Sequence, residues 1–358
     1  MRARFLVPVM GTAVLVVTAL TGCSRSTDAA ADYLEVVTTA RSVPSTGGSD
    51  VDRTFVTPHF SVEHDEVVTG AELDGKTVEK FGLSGSGTLA APAGKQLVLV
   101  TLRNKAGGIY PDDTSVAPTV TVHAGDRSAP IEQWPAGLGG VAVAAAVGAD
   151  EPVTLQVEDD GQTVVWDLRE GTYGDDPVSQ AAAVLGSGDS AREDIGGKVA
   201  VSGQATVPSG ITGIPAAVRT TQVTVDTTNA DLGVTPWFAE LRWAPAGSIY
   251  VYLTGYRVTY RGSGFVTTTV AEPAAAFTLT PAGGTPVASL GSGTATTPLE
   301  VDLDGATSVF QVPVGFTAGT FRFQPQATIR GLTTSGTAAE VTWATPPPAA
   351  TVALDVTA

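Results

Sequence analysis

The chain has 358 residues, with 36 acidic side chains against 20 basic ones, a net charge of −16 and a single cysteine. An acidic surface without a basic cluster repels phosphate backbones and anionic lipid headgroups, which excludes nucleic acid as a partner. One cysteine excludes any internal disulfide.

In chain order, the first element is the N-terminus. Arg2 and Arg4 open it, and Phe5 to Leu20 are apolar or small, interrupted by Pro8, Gly11 and threonine hydroxyls. A charged start, a short apolar run and small residues at the cut describe a signal peptide over residues 1–22. A membrane-spanning helix needs ~20 consecutive apolar residues, and this run is shorter and contains a proline. Cleavage after Gly22 removes Arg2 and Arg4 and so enlarges the excess of acid. Residues 23–50 are polar and small and read as a flexible tether.

Beyond the tether, period-two runs bounded by Gly, Pro, Asp and Asn recur, which predicts an all-β chain. "FSVEH", "KQLVLVTL", "PTVTVHAG" and "PVTLQVEDDGQTVVWDL" read as strands of a first β-sandwich domain over residues 51–171. Within the last of these, Asp160-Gly161 has the chemistry of a two-residue hairpin turn. Residues 172–196 read as a linker, and "DPVSQAAAVLG" at 176–186, the one helical candidate, is taken as part of it. "TQVTVDT", "SIYVYLTGYRVTY", "AAFTLTPAGG", "PLEVDLDG", "SVFQVPVG", "GTFRFQPQATIRG" and "AAEVTW" read as strands of a second sandwich over 197–346. A Pro-rich tail, 347–358, closes the chain.

The two halves repeat. "APAGKQLVLVTL" from residue 91 aligns with "APAGSIYVYLTG" from 244, and "HAG" at 123 with "PAG" at 281. "AVGADEPVTLQV" at 146 aligns with "PVGFTAGTFRFQ" at 313, and "VVWDL" at 164 with "VTWAT" at 341. Collinear matches with growing offset are what insertions in the loops of a duplicated domain produce.

Leu20, Thr21, Gly22 and Cys23 together resemble the lipobox of bacterial lipoproteins. That resemblance implies that Cys23 receives a diacylglycerol and becomes the first residue of the mature protein. It places the chain on the outer face of the cytoplasmic membrane, held in the lipid bilayer by acyl chains; two chains are enough for stable anchoring. The tandem strand pattern is similar to immunoglobulin-like domains of Gram-positive surface lipoproteins, loosely through Leu97 to Asn104 and Val312 to Gly315. This implies two tandem immunoglobulin-like β-sandwiches and no particular activity.

Candidate sites are few. His64 stands in "VEHDE" between acids, but consecutive strand residues alternate faces and converge poorly on one ion. Asp112 with Asp113, and Asp175 with Asp176, are sequence neighbours, which do not flank a sugar from opposite sides as a glycosidase pair must. Glu300, Asp302, Asp304 and Gly305 fit the start of a calcium loop, yet Glu replaces its first Asp and Gln311 its closing Glu. Leu299, Val301 and Leu303 alternate with these acids, so a strand followed by a turn is the preferred interpretation and no metal or cofactor is expected. Tyr250, Tyr252, Tyr256 and Tyr260 share one parity and form a candidate aromatic strip for a sugar or protein partner. The competing interpretation is a core strand whose facing is switched by a bulge at Gly255.

The resulting expectation is a membrane-anchored, non-enzymatic binding or scaffold lipoprotein whose partner is an envelope protein or cell-wall glycan. Second comes an accessory subunit of an envelope transporter or secretion system, and third a carbohydrate-active enzyme with a cryptic site.

Overall fold

The computed structural model describes residues 33–39, 44–45, 47–85, 87–105, 108, 116–131, 139–186, 193–194, 198–206, 218–262, 276–290, 306–324, 328–332 and 338–356. The signal segment, the lipobox with Cys23, and the acids Glu300, Asp302 and Asp304 lie outside the described residues.

The fold is mostly β, built from antiparallel sheets. The first half contains β1 (Leu34–Thr39), β2 (Ser49–Val56), β3 (Ser61–Gly70), β4 (Glu72–Leu73), helix α1 (Gly75–Phe81), β5 (Leu89–Ala90) and β6 (Gln96–Asn104). It continues through β7 (Thr119–Ala124), β8 (Arg127–Ile131), β9 (Gly140–Val147), β10 (Val153–Asp159), β11 (Gln162–Asp167) and β12 (Thr172–Tyr173). Helix α2 (Pro177–Gly186) follows. The second half contains β13 (Glu193–Asp194), β14 (Lys198–Thr206), β15 (Val218–Asp226), β16 (Asp231–Thr235), β17 (Trp237–Phe238), β18 (Arg242–Trp243) and β19 (Ser248–Gly262). It ends with β20 (Phe277–Pro281), β21 (Val287–Ala288), β22 (Ala306–Pro313), β23 (Ala318–Phe323), β24 (Thr328–Leu332), β25 (Ala338–Thr345) and β26 (Ala350–Asp355).

In the first half, the sheet β1-β9-β6-β3-β2 faces the sheet β12-β11-β10-β7-β8. Val98, Val100 and Leu102 of β6 meet Val120, Val122, Leu155, Val157 and Trp166 in one core. The strands of the second sheet alternate buried and half-buried side chains, as β10 does, because one face looks to solvent. β9 is buried along its whole length. Its neighbour β6 sends Leu97 and Leu99 to the opposite face, where α1 and β4–β5 cover them with Val78, Phe81, Leu73 and Leu89. Sequence reading missed α1. Its local signals are Asp74, whose Oδ1 accepts the Lys76 and Thr77 backbone N–H groups at 2.8 and 3.0 Å, and Gly82 as a left-handed C-cap.

In the second half, a large sheet ordered β13-β16-β19-β15-β14-β25-β24, with β22 also paired to β19, packs on the sheet β21-β20-β23-β26. Ile249, Val251 and Leu253 meet Phe277, Leu279, Phe321 and Phe323 there.

Three expected boundaries are corrected. The tether does not extend to residue 50: Leu34–Thr39 form β1, paired along β9, with Leu34 and Val36 turned into the core. The apolar alternation of "LEVVTT" is enough to recruit it. Ser84 reinforces the edge by donating its N–H to Glu35 Oε2 at 2.8 Å and its hydroxyl to Oε1 at 2.8 Å. The Pro-rich tail is also part of the fold: β26 pairs with β23, and Ala350, Leu354 and Val356 enter the second core. The linker contains a structured helix. Asp176 caps α2 by accepting the Val178 and Ser179 N–H groups at 3.0 and 2.9 Å, with Pro177 in the first helical position. Ala181 belongs to the core of the second half and Ala182 to that of the first, so α2 is wedged between them. No helix among the described residues is long and apolar enough to cross a membrane.

The repeated "APAG" segments adopt the same turn. Lys95 N–H donates to Pro92 O at 3.0 Å and Ser248 N–H to Pro245 O at 2.9 Å, with Gly94 and Gly247 both at φ 78°. The "AVGADEP" match is displaced, because Gln96 pairs with Val147 while Ile249 pairs with Val312. The last match fails: β11 is flanked by β10, but the strand flanking the corresponding β23 is β26, not the "VTWAT" strand β25.

His64 is fully buried beside Trp166, ring centroids 5.3 Å apart. Neither ring nitrogen has a hydrogen-bond partner among the described residues. Burial, with a smaller contribution from the Arg53 guanidinium, pushes its pKa down to about 4. Between the ordinary value near 6.5 and about 4, the unfolded chain binds a proton that the native chain refuses. Stability is therefore fully present above pH ~6.5 and falls by roughly 3 kcal/mol as pH drops through ~4. Urea unfolding at pH 7 and pH 4 is expected to show this loss in the parent, and a correspondingly smaller loss in His64→Phe.

Candidate functional site

The tyrosine stretch lies on β19. Gly255 takes φ 78°, and the pairing of β19 with β22 slips between Thr254 and Tyr256. This bulge reverses the facing of the strand. Ile249, Val251 and Leu253 point into the core before it, and Tyr256 points into the same core after it. Tyr256 is 2% exposed, shares a hydrogen bond of 2.7 Å with Ser308 Oγ, and burial holds its phenol well above the usual range. Tyr250 and Tyr252 lie on the opposite face. Tyr250 is 4% exposed, and Tyr252 lies across Gly233 of the paired strand, 6.1 Å from the Phe238 ring centroid. The side chain of Tyr260 lies outside the described residues. The tyrosines therefore do not make one exposed strip, since Tyr250 and Tyr256 are buried on opposite faces of the sheet.

The "VEHDE" acids do not converge. Glu63 and Asp65 turn outward to Arg103 and Lys105, while His64 turns inward. Among the described residues, no group of three or more His, Cys, Asp and Glu side chains could hold a metal ion. Asp176 is occupied as the α2 cap, and Asp112 and Asp113 lie outside the described residues.

A polar cluster forms where the halves meet, and sequence reading did not assemble it. The hairpin between β10 and β11 turns at Asp160 and Gly161, with φ 52° and 77°, the left-handed pair that a tight two-residue hairpin requires. Asp159 and Asp160, at its tip, face opposite tasks. Asp159 is fully buried; its Oδ2 accepts the Thr57 hydroxyl at 2.5 Å and the His59 N–H at 2.9 Å, and its Oδ1 lies 2.6 Å from His59 Nδ1. Asp160 Oδ2 accepts Trp237 Nε1–H at 2.8 Å, and its Oδ1 pairs with the Arg242 guanidinium. Trp243 Nε1–H donates to Asp159 O at 2.8 Å. The His59 ring stands edge-on to Trp237 at 5.0 Å, and Arg242 lies 5.4 Å from the centre of the same indole. Trp237 is fully buried. The His–Asp pair, internal to the first half, is sealed beneath it, and the bonds that cross between the halves are those of Trp237 and Arg242 to Asp160 and of Trp243 to Asp159 O.

The second feature is a half-open cleft of about 420 Å³ in the second half, walled by the β20–β21 loop and the β22–β23 turn. Pro281, Val287, Pro313 and Phe316 supply its apolar surface, and Gly283 and Gly284 its backbone rim. Its signal in the sequence is the pair "TPAGGTP" and "VPVGFT", visible as turns but not as two walls of one space.

No protein-family model, no curated protein and no solved structure matches the chain.

Two outcomes follow from these contacts. A Cβ on Gly233 would lie 2.1 Å from Tyr252 Cζ, so Gly233→Ala must displace the ring at a cost of about 1–3 kcal/mol. That cost should disappear in a Tyr252→Ala background, which a double-mutant cycle of urea midpoints measures. Asp160→Ala leaves Trp237 and Arg242 without this carboxylate and should weaken the junction by about 1–3 kcal/mol. Calorimetry should then resolve separate transitions for the two halves, where the parent unfolds as one.

Proposed function

We propose that this chain is a lipid-anchored envelope protein on the outer face of the cytoplasmic membrane, acting as a non-enzymatic scaffold and binding protein. In this proposal the two halves are tandem immunoglobulin-like sandwiches. Removal of residues 1–22 exposes Cys23, and two acyl chains on it hold the protein at the bilayer.

The observation that carries the proposal is the direction of the first half. β1 starts opposite Ala145 at one end of its sheet, with Tyr33 O accepting the Ala146 N–H at 2.8 Å. β10 starts at that same end, just beyond β9, and runs to Asp159 at the other. The first half therefore separates the start of β1 from the junction by about 20 Å, the rise of a strand the length of β10. With the junction bonded and α2 wedged beside it, the first half acts as a rigid spacer that carries the second half away from the membrane. A spacer requires order at its junction and no chemistry there, which suits a His–Asp pair sealed under an indole.

Cys23→Ser tests the anchor. The expected result is unprocessed precursor, or mature protein in the soluble fraction after membrane sedimentation. Processing and membrane retention equal to the parent would sink the proposal.

A further inference from the structure

We propose that the cleft between Pro281–Val287 and Pro313–Ala318 binds an uncharged, apolar small molecule. The inference gives the binding role proposed above a place and a ligand class, and in that sense rests on it.

The first half shows what the same place looks like when the chain fills it. Gln96 and Ile249 hold the same place in the two "APAG" segments, and their partners Val147 and Val312 put Gly148 and Pro313 at the same point of the two sheets, although Pro313 still pairs with Ser248. The residue that closes the turn is then Glu151 in the first half and Phe316 in the second. In the first half the β7–β8 turn is only Gly125-Asp126, and Glu151 closes over it. The Glu151 carboxylate accepts the Gly148 N–H at 2.8 Å, and its Oε1 lies 2.5 Å from where a Cβ on Gly125 would stand. Arg169 Nη1 braces this plug by donating to Glu151 O at 2.8 Å. No space is left.

The N–H, the acid and the short turn of that plug all differ in the second half. Pro313 has no N–H with which to hold a carboxylate. Phe316 replaces the acid and folds back toward Gly319, its Cε2 lying 3.0 Å from where a Cβ on Gly319 would stand. The β20–β21 loop, residues 282–286, is longer than Gly125-Asp126 and lines the cleft opposite the β22–β23 turn. The result is the cleft of about 420 Å³, within the roughly 300–1,000 Å³ usual for small-molecule sites. None of its lining residues is ionisable, in a chain that carries 36 acidic side chains elsewhere. A charged ligand would lose its hydration there without gaining a counter-charge. An apolar group gains burial against Phe316, Pro281 and Pro313 at ~25 cal/mol per Å².

Saturation-transfer NMR on the full chain in solution tests this with three probes that share a ring and differ in charge: benzyl alcohol, benzoate and benzylammonium. Benzyl alcohol is expected to bind saturably and roughly tenfold or more tightly than either ion. Thr285→Trp and Thr317→Trp place an indole in the cleft from opposite walls. Each should weaken that binding by roughly tenfold or more while the melting temperature stays at the parent value. Charged probes binding as well as the alcohol, no saturable binding, or binding unchanged in both variants would overturn the proposal. These readouts do not depend on whether Cys23 is acylated, so the cleft and the anchor fail separately.

Discussion

The central strands are apolar on both faces, and that constraint organises the molecule. β6 carries Val98, Val100 and Leu102 on one side and Leu97 and Leu99 on the other, all 0–1% exposed. Each fully buried side chain of this size contributes about 1.5–3 kcal/mol, so neither face can be left wet. A facing sheet covers one side, and something else must cover the back. In the first half the chain leaves the sheet after β3, builds β4, α1 and β5 over that back face, and returns through Pro92-Ala93-Gly94 into β6. In the second half it leaves after β16, lays β17 and β18 over the back of β19, and returns through Pro245-Ala246-Gly247. The returns are held alike, by Ala91 N–H to Ala71 O and Ala244 N–H to Pro236 O, both at 2.8 Å. The "APAG" segment that occurs in both halves is thus the re-entry of a covering excursion.

The junction grows from the same device. The second covering excursion carries Trp237, Arg242 and Trp243, so the group that seals the back of β19 also grips the first half. Trp243 packs against the core of the first half, and Tyr250 and Tyr252 lie on the face this excursion covers. The Asp159 side chain is buried, and Thr57 and His59 fill its acceptor sites. Leaving a buried polar group without its partner costs about 1–3 kcal/mol. The bond from Trp237 to Asp160 therefore adds to a tip already fixed from within its own half.

Much of the fold was legible because strand periodicity and turn chemistry are local. The alternation in "PVTLQV", the turn at Asp160-Gly161 and the bulge at Gly255 all follow from residue types a few positions apart. What escaped reading depends on distant partners. "LEVVTT" is too short to distinguish a strand from a tether until β9 offers it an edge, and "ATVALD" resembles a tail until β23 does. The helical pattern at 176–186 was visible, but its alanines become meaningful only where two cores press on them. The tyrosines share a parity that one glycine in a left-handed conformation cancels. His59, Trp237 and the Asp159-Asp160 tip were each noticeable, yet nothing in the sequence brings residues from opposite halves together.

The two halves differ most where they were expected to be alike. The two halves share the "APAG" turn and differ in what surrounds the end of their sheets. In the first half, Glu151 and Arg169 close the end of the sheets where β1 enters, on the side of the proposed lipid anchor, and a closed, hydrogen-bonded end tolerates proximity to a bilayer without opening. In the second half, the corresponding end carries the junction on one flank and an unfilled apolar cleft on another. Where the first half has a carboxylate held by an N–H, the second has a ring beside a proline and a longer, glycine-rich loop. These uncharged, apolar walls leave surface that water serves poorly and that a small apolar ligand would cover.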